Sequence, residues 1–150
     1  MINYFGYGAN STSEMMKAII GRVPHGKPAT LSDYELCIQT WNEIPKNVRK
    51  ILQTGWNQDF KTYCIRPKKG KEVVGTLWEI TKVERKSVSR WEFWYEKIKV
   101  SVRVGNKTIK TETEMINDPN IKVVVDGTKY EPFPVPKQEI LAHAQKTRKI

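Results

Sequence analysis

Two stretches of this chain hold residues whose type and spacing suit chemistry. The first is Glu92, in SVSRWEFWYE, set between Trp91, Phe93 and Trp94. A carboxylate against aromatic walls gains proton affinity through desolvation, and that suits a general acid or base working near neutral pH. The competing reading, a glutamate that faces solvent or pairs with Arg90 or Lys97, stays open on pattern alone. The second stretch is the turn YGANS, Tyr7 to Ser11, which follows a strand pattern and precedes a helical one. Backbone N–H groups that converge near a helix N-terminus stabilise a carboxylate or a developing oxyanion. Read by itself, a glycine turn between strand and helix is more often only a turn. It is not a nucleotide loop, since neither GxxxxGK[ST] nor GxGxxG is present.

Other reactive types are dispersed. Asp33, Asp59, Asp118 and Asp126 fall in separate turns or strand edges, with no spacing that suggests a metal pair. His25 follows Pro24 in a loop and His143 sits in the last helical segment, neither within a recognisable nucleophile arrangement. Cys37 and Cys64 lie in apolar strand-like surroundings and read as buried thiols; a disulfide between them would need an oxidising environment. With two distant histidines they make no zinc signature, so no metal is expected.

These residues require a scaffold. Ile2 to Tyr7 reads as a first strand, broken by Gly6, Gly8 and Asn10. Ser11 and Glu14 have capping-box spacing for a helix through Ile20, with Met15, Met16, Ile19 and Ile20 inward and Gly21 as its end. A strand follows in Ala29 to Trp41, with Tyr34, Leu36 and Ile38 on one face, then a short helix over Pro45 to Leu52 with Val48, Ile51 and Leu52 inward, ended by Gly55. Phe60 to Ile65 returns to strand, which Pro67 stops and Lys68-Lys69-Gly70 turns. EVVGTLWEI, Glu72 to Ile80, is the clearest central strand; Gly75 weakens it unless a neighbour comes close. Thr81 and Glu84 make a second capping box for a helix toward Glu92. Phe93 to Val104 and Lys107 to Met115 form a hairpin around Gly105-Asn106, and Val123 to Val125 with Lys129-Tyr130 a further one around Asp126-Gly127. Three prolines, Pro132, Pro134 and Pro136, precede a last helix from Lys137 to about Thr147, packed through Ile140, Leu141 and Ala144. Antiparallel strands with helices between and after them give an α+β order.

A length of 150 residues and 17.4 kDa fits one domain, residues 1–150, with 39% hydrophobic residues spread along it. The opening MINYFGYGAN has no basic region before it, so no signal peptide is expected and a cytoplasmic location is. No run of 18 apolar residues exists, and no membrane partner is expected. The net charge of +10 and pI of about 9.6 suit anionic partners in general. The basic residues are scattered, and the aromatic ones are more economically core or pocket walls than base-stacking platforms, which argues against nucleic acid. Oligomeric state stays open; a homodimer that buries some tryptophans between subunits is compatible with the sequence.

Taken in order, the motifs resemble one family. YFGYGANSTSEMM resembles the YFAYGSNM-type opening of gamma-glutamylcyclotransferase-like (AIG2-like) proteins. GRVP followed by ATLSDYELCI resembles the family's L-x-x-Y-x-L strand, here Leu31, Tyr34 and Leu36. IRPKKGKEVVGTLWEIT resembles its I-x-P…G…V-x-G-x-L-Y-x-L stretch, with Trp78 where tyrosine is common. VSRWEF aligns with the L-D-x-x-E-G segment that carries the family's catalytic glutamate, and PFPVPKQEILAHAQK resembles its proline-led last helix. The resemblance implies a small, mixed, mainly antiparallel β-barrel with packed helices. It implies an enzyme of lyase or acyltransferase type that cyclises a gamma-glutamyl group to 5-oxoproline and releases an amine or amino acid. Carried to this chain, Glu92 moves the proton, Tyr7, Gly8, Ala9 and Asn10 bind a small anionic gamma-glutamyl substrate through backbone groups, and no cofactor is needed. Several departures bear on this. Ala9 replaces serine, Val88-Ser89 replaces Leu-Asp, and Phe93 replaces the glycine after the glutamate. Tyr95 comes only three residues after Glu92, which leaves a later pocket-wall aromatic without a counterpart, and Asn42 to Asp59 looks like an insertion. The alternative reading is a binding protein that keeps the pocket for a small anionic ligand without turnover.

Overall fold

The computed structural model describes residues 1–52, 60–129, 141, 142, 144 and 145. The strands are β1 (Ile2–Gly6), β2 (His25–Thr40), β3 (Lys61–Ile80), β4 (Glu96–Val104), β5 (Lys107–Met115) and β6 (Val123–Val125). The helices are α1 (Ser13–Ile20), α2 (Lys46–Leu52) and α3 (Lys82–Trp91), with 3-10 turns at Gly8–Ser11 and Trp41–Glu43. The strand order β3-β1-β5-β4-β2 closes on itself, because β2 also pairs with β3; β6 adds to β2 outside the ring. All pairings are antiparallel except β1 with β5, where Tyr4 faces Glu112 in parallel. The fold is thus the small mixed barrel with packed helices that the resemblance implied.

Alternation along the strands divides the side chains between two faces. Phe5, Tyr7, Leu31, Leu36, Ile65, Val73, Leu77, Val102 and Met115 fill one buried cluster, with Tyr34 and Ile38 packed against it. The opposite face of β1 and β3 gives Tyr4, Trp78 and Ile80 to a second cluster, covered by Met15, Met16 and Ile19 of α1 and Val88 of α3. Gly75 is required here, since a Cβ on it would lie 2.3 Å from the Gly6 carbonyl oxygen and 2.8 Å from the Phe5 ring. Cys37 faces Cys64 across β2 and β3, and both are buried free thiols.

Several boundaries differ from the sequence reading. Pro67 does not stop a strand, as β3 runs unbroken from Lys61 to Ile80. The expected turn at Lys68-Lys69-Gly70 is instead an irregularity where the register jumps from Ser32↔Glu72 to Tyr34↔Pro67. Proline is tolerated at such a place because a bulge asks for no ladder N–H. Asp33 takes up the bend with φ 65°, and its Oδ1 accepts from the Gly70 N–H at 3.0 Å. Thr12, not Ser11, caps α1: its Oγ1 accepts from Met15 N at 3.3 Å, while Ser11 Oγ donates to Gly8 O. The 3-10 turn holds the chain one residue longer than the capping-box spacing suggests. The Thr81–Glu84 box forms as expected, and Gly21 ends α1 at φ 90°. In α2, Val48 is buried but Ile51 is 58% exposed. The β4–β5 hairpin forms, though β4 begins at Glu96. β6 pairs with Leu36 to Ile38 of β2 rather than folding back on Lys129, and Gly127 O accepts from Val74 N. Tyr130, Gly55 and His143 lie outside the described residues, as do most of the residues expected to form a last helix; Leu141, Ala142, Ala144 and Gln145 are helical, with Ala144 buried.

Candidate active site

β1 ends at Gly6 and delivers Tyr7 to a turn pinned from several sides. Gly8 has φ 60°, and a Cβ on it would press on the Tyr63 ring at 2.9 Å, so only glycine fits. Trp78 Nε1 donates to Asn10 O at 2.8 Å, and Thr76 Oγ1 donates to Ser11 O at 2.9 Å. These bonds from the central strand fix the backbone of Asn10 and so its side chain. Asn10 is 4% exposed; its Nδ2 lies 2.9 Å from the Tyr4 hydroxyl and 3.0 Å from Glu92 Oε1. Its Oδ1 is buried without a partner among the described residues.

Glu92 comes to the same place from the other end of the barrel wall. The Thr81–Glu84 box starts α3, and Glu92 is its C-cap, donating its N–H to Val88 O at 2.9 Å. The next residues turn at once, with Tyr95 N donating to Glu92 O at 3.0 Å. Phe93 is 42% exposed and Trp94 is anchored by a 3.0 Å bond from Nε1 to Gln39 Oε1, so the bulky residue after the glutamate turns toward solvent. Glu92 is half-buried, surrounded yet reachable. Burial pushes its carboxyl up to about 8, the charge of Glu114 pushes the same way, and the Asn10 bond and Arg85 charge oppose them. A half-ionised group at neutral to mildly basic pH can both take and return a proton.

Beneath Glu92 lies a charged layer that sequence reasoning did not single out. Arg85 of α3 donates through Nε to Glu112 Oε1 at 2.8 Å and through Nη1 to Glu114 Oε1 at 2.5 Å, both acceptors on β5. Its guanidinium carbon sits 4.9 Å from the centroid of the Tyr4 ring. Tyr7 donates its hydroxyl to the Glu114 carbonyl at 2.7 Å. Tyr95 donates its hydroxyl to Tyr63 O and contacts Thr62 Oγ1 at 2.6 Å; burial pushes its phenol well above the usual range. The signal for the acidic pair was present in TETE, Thr111 to Glu114, where alternation puts both glutamates on one strand face.

The structure therefore brings Asn10 and Glu92 into contact and places Tyr7 and Gly8 in the turn that supports Asn10. Ala9 accepts at its carbonyl from Thr12 and packs toward the α1 cluster. Among the described residues no three His, Cys, Asp or Glu side chains are grouped to hold a metal. A groove of about 700 Å³ on the β1, β4 and β5 side reaches Asn3, Lys99, Lys110 and Glu112 but not Glu92. Its charged walls are mostly exposed lysines, so its size is no argument for placing chemistry there.

A family model described as gamma-glutamyl cyclotransferase, AIG2-like, matches residues 4–132. The chain belongs to that family. Members and look-alikes among solved structures are remote in sequence. An uncharacterized human protein and a structure titled gamma-glutamyl cyclotransferase each match at 19% identity and a TM-score of 0.64, covering 99% of this chain and 80% of theirs. A solution structure from Arabidopsis thaliana matches at 19% identity and a TM-score of 0.58, covering 99% of this chain and 78% of that one. At such identities the likeness shows the gamma-glutamyl cyclotransferase fold alone. No curated protein sequence matches the chain. No helix among the described residues is long and apolar enough to cross a membrane.

Proposed function

We propose that this chain is a gamma-glutamyl amine or peptide cyclotransferase, releasing 5-oxoproline and a free amine or amino acid. The observation that carries this reading is the Asn10–Glu92 contact. It joins the pinned glycine turn to a carboxyl whose proton affinity is raised to about 8. Such a value lies near that of a substrate α-ammonium, so proton transfer between them is close to balanced.

In this reading the α-amine of the gamma-glutamyl group attacks its own side-chain amide carbonyl carbon. A C–N bond forms, and the Glu92 carboxylate takes a proton from the attacking nitrogen. The tetrahedral oxyanion is held by backbone N–H groups of Gly8, Ala9 and Asn10. Glu92 then gives its proton to the leaving nitrogen, the old C–N bond breaks, and the carboxylate is restored. The attack is intramolecular, so placement supplies much of the rate. The departure at Ala9 is harmless to a role filled by main chain. The substrate is a small anion, consistent with the basic balance of the chain.

The test is a 5-oxoproline assay over gamma-glutamyl amines, gamma-glutamyl amino acids and glutathione. Product from at least one substrate, absent with Glu92→Gln, is the expected result. Calorimetric binding without product for any member of the panel would mean a pocket retained for binding only.

A further inference from the structure

The layer beneath Glu92 is built more elaborately than packing alone demands. Arg85 and Glu114 have side chains 4% exposed each, and they are joined at 2.5 Å. Burying two charges costs several kcal/mol per ion before their attraction returns it, so an apolar pair of the same volume would hold α3 to β5 as well or better. The pair is also placed asymmetrically. Arg85 takes two carboxylates and Ser89 Oγ on one side, faces the Tyr4 ring on another, and leaves Nη2 buried without a partner among the described residues. The Tyr4 hydroxyl is held by Asn10 Nδ2, and the same nitrogen holds Glu92. A continuous set of contacts therefore runs from the ion pair to the carboxyl.

We propose that Arg85 and Glu114 are positioning residues for Glu92: opposed charges that set the pH at which that carboxyl gives up its proton and, through Tyr4 and Asn10, where it sits. The titratable and charged groups around Glu92 come from every neighbouring element. Arg85 on α3, Glu114 on β5 and the Asn10 amide in the turn act on its carboxyl, whereas the buried phenols of Tyr4 on β1, Tyr7 in the turn and Tyr95 just beyond α3 are themselves pushed up, by burial first and by the Glu92 charge as well. Glu112 and Lys97 bear on the pair itself, through Arg85 and Glu114 respectively. Of these only Arg85 and Glu114 act on Glu92 with a full charge of their own. Glu114 favours the neutral carboxyl and Arg85 the ionised one. The pair thus sets the carboxyl between two tasks, base in the first half of the reaction and acid in the second.

The proposal rests on the reading of Glu92 as the proton carrier, and its test does not depend on turnover. Protein labelled with 13C at glutamate carboxyls is titrated by NMR, with the Glu92 resonance assigned by its loss in Glu92→Gln. Glu114→Gln keeps the shape and an acceptor for Arg85, and the Glu92 midpoint is expected to fall by about half a unit or more. Arg85→Met is expected to raise it by a similar amount, about half a unit or more. Shifts of opposite sign are something a purely structural role does not give. A midpoint in folded Glu114→Gln that is unchanged or raised would overturn the proposal. Should Arg85→Met fail to fold, the Glu114→Gln arm decides by itself. If no substrate yields 5-oxoproline yet the midpoints move in opposite directions, the cyclotransferase reading fails and the positioning role stands.

Discussion

Among the described residues, two largely buried arginines, Arg66 and Arg85, pair with glutamates of the barrel strands, and they end differently. Arg66 on β3 meets Glu35 directly across from it on β2 at 2.7 Å, and its Nη1 donates to the carbonyls of Asp118 and Ile121 at 2.8 and 3.0 Å. Its donors go to one carboxylate and to main chain, which ties the segment before β6 to the barrel. Arg85 instead takes two carboxylates, faces an aromatic ring and keeps a buried nitrogen unpartnered among the described residues, linked through Tyr4 and Asn10 to a carboxyl with raised proton affinity. The same chemistry closes a loop in one place and sets an electrostatic environment in the other. What separates them is whether polar groups remain unspent nearby, as Asn10 Oδ1 and Arg85 Nη2 do.

The largest expected effect comes from Glu92→Gln, which should lower 5-oxoproline release at least 10³-fold while the circular dichroism spectrum stays that of the wild type. Next, the two arginines can be set against each other by denaturant titration. Arg85→Met leaves Glu114 buried and unpaired and should cost about 3–5 kcal/mol. Arg66→Met, at a pair 15% and 10% exposed, should cost about 1–3 kcal/mol and leave the pH profile of activity in place. Equal costs, or a profile moved by Arg66→Met, would erase the distinction between the two pairs.

A third expectation concerns stability and pH. Glu92 holds its proton more tightly in the fold than in the unfolded chain, so its contribution is fully present below the ordinary glutamate range, about 4.5. It is lost as pH rises through about 8. Glu92→Gln cannot lose a proton, so the variant should gain on the wild type over that window, by roughly 4 kcal/mol. Thermal melts at pH 4.5 and pH 9 measure this; a gap that stays constant would place Glu92 in water. The smallest effect separates the two capping candidates of α1. Thr12→Ala should cost about 1 kcal/mol through the lost bond to Met15 N. Ser11→Ala should cost less, because the Ser11 hydroxyl bonds back to the Gly8 carbonyl and not to an N–H of α1.

Much of this was legible in the chain itself. The alternation in EVVGTLWEI, the Thr81–Glu84 box and the break at Gly8 are local signals, and local physics reads them. The continuity of β3 was not legible, since Pro67 and Lys68-Lys69-Gly70 carry every mark of a turn and only pairing with the bend at Asp33 makes them a bulge. The pairing of β6 with β2 was hidden for the same reason: Asp126-Gly127 is a turn, but its partner strand lies some 90 residues earlier, at Leu36 to Ile38. The Arg85 layer escaped because its parts come from α3, β1 and β5. Nothing in the spacing of Tyr4, Arg85 and Glu114 says that they meet; closure of the barrel decides it.

The central claim is that Glu92, held by Asn10, carries the proton in gamma-glutamyl cyclisation. The most direct test is kcat/KM for 5-oxoproline release as a function of pH, for wild type and Glu92→Gln with the best substrate of the panel. The account expects an ascending limb with a midpoint near 8, the value to which burial pushes the Glu92 carboxyl, and no measurable rate for the variant. A variant that keeps the wild-type rate, or a wild-type profile flat from pH 6 to pH 9, would contradict it.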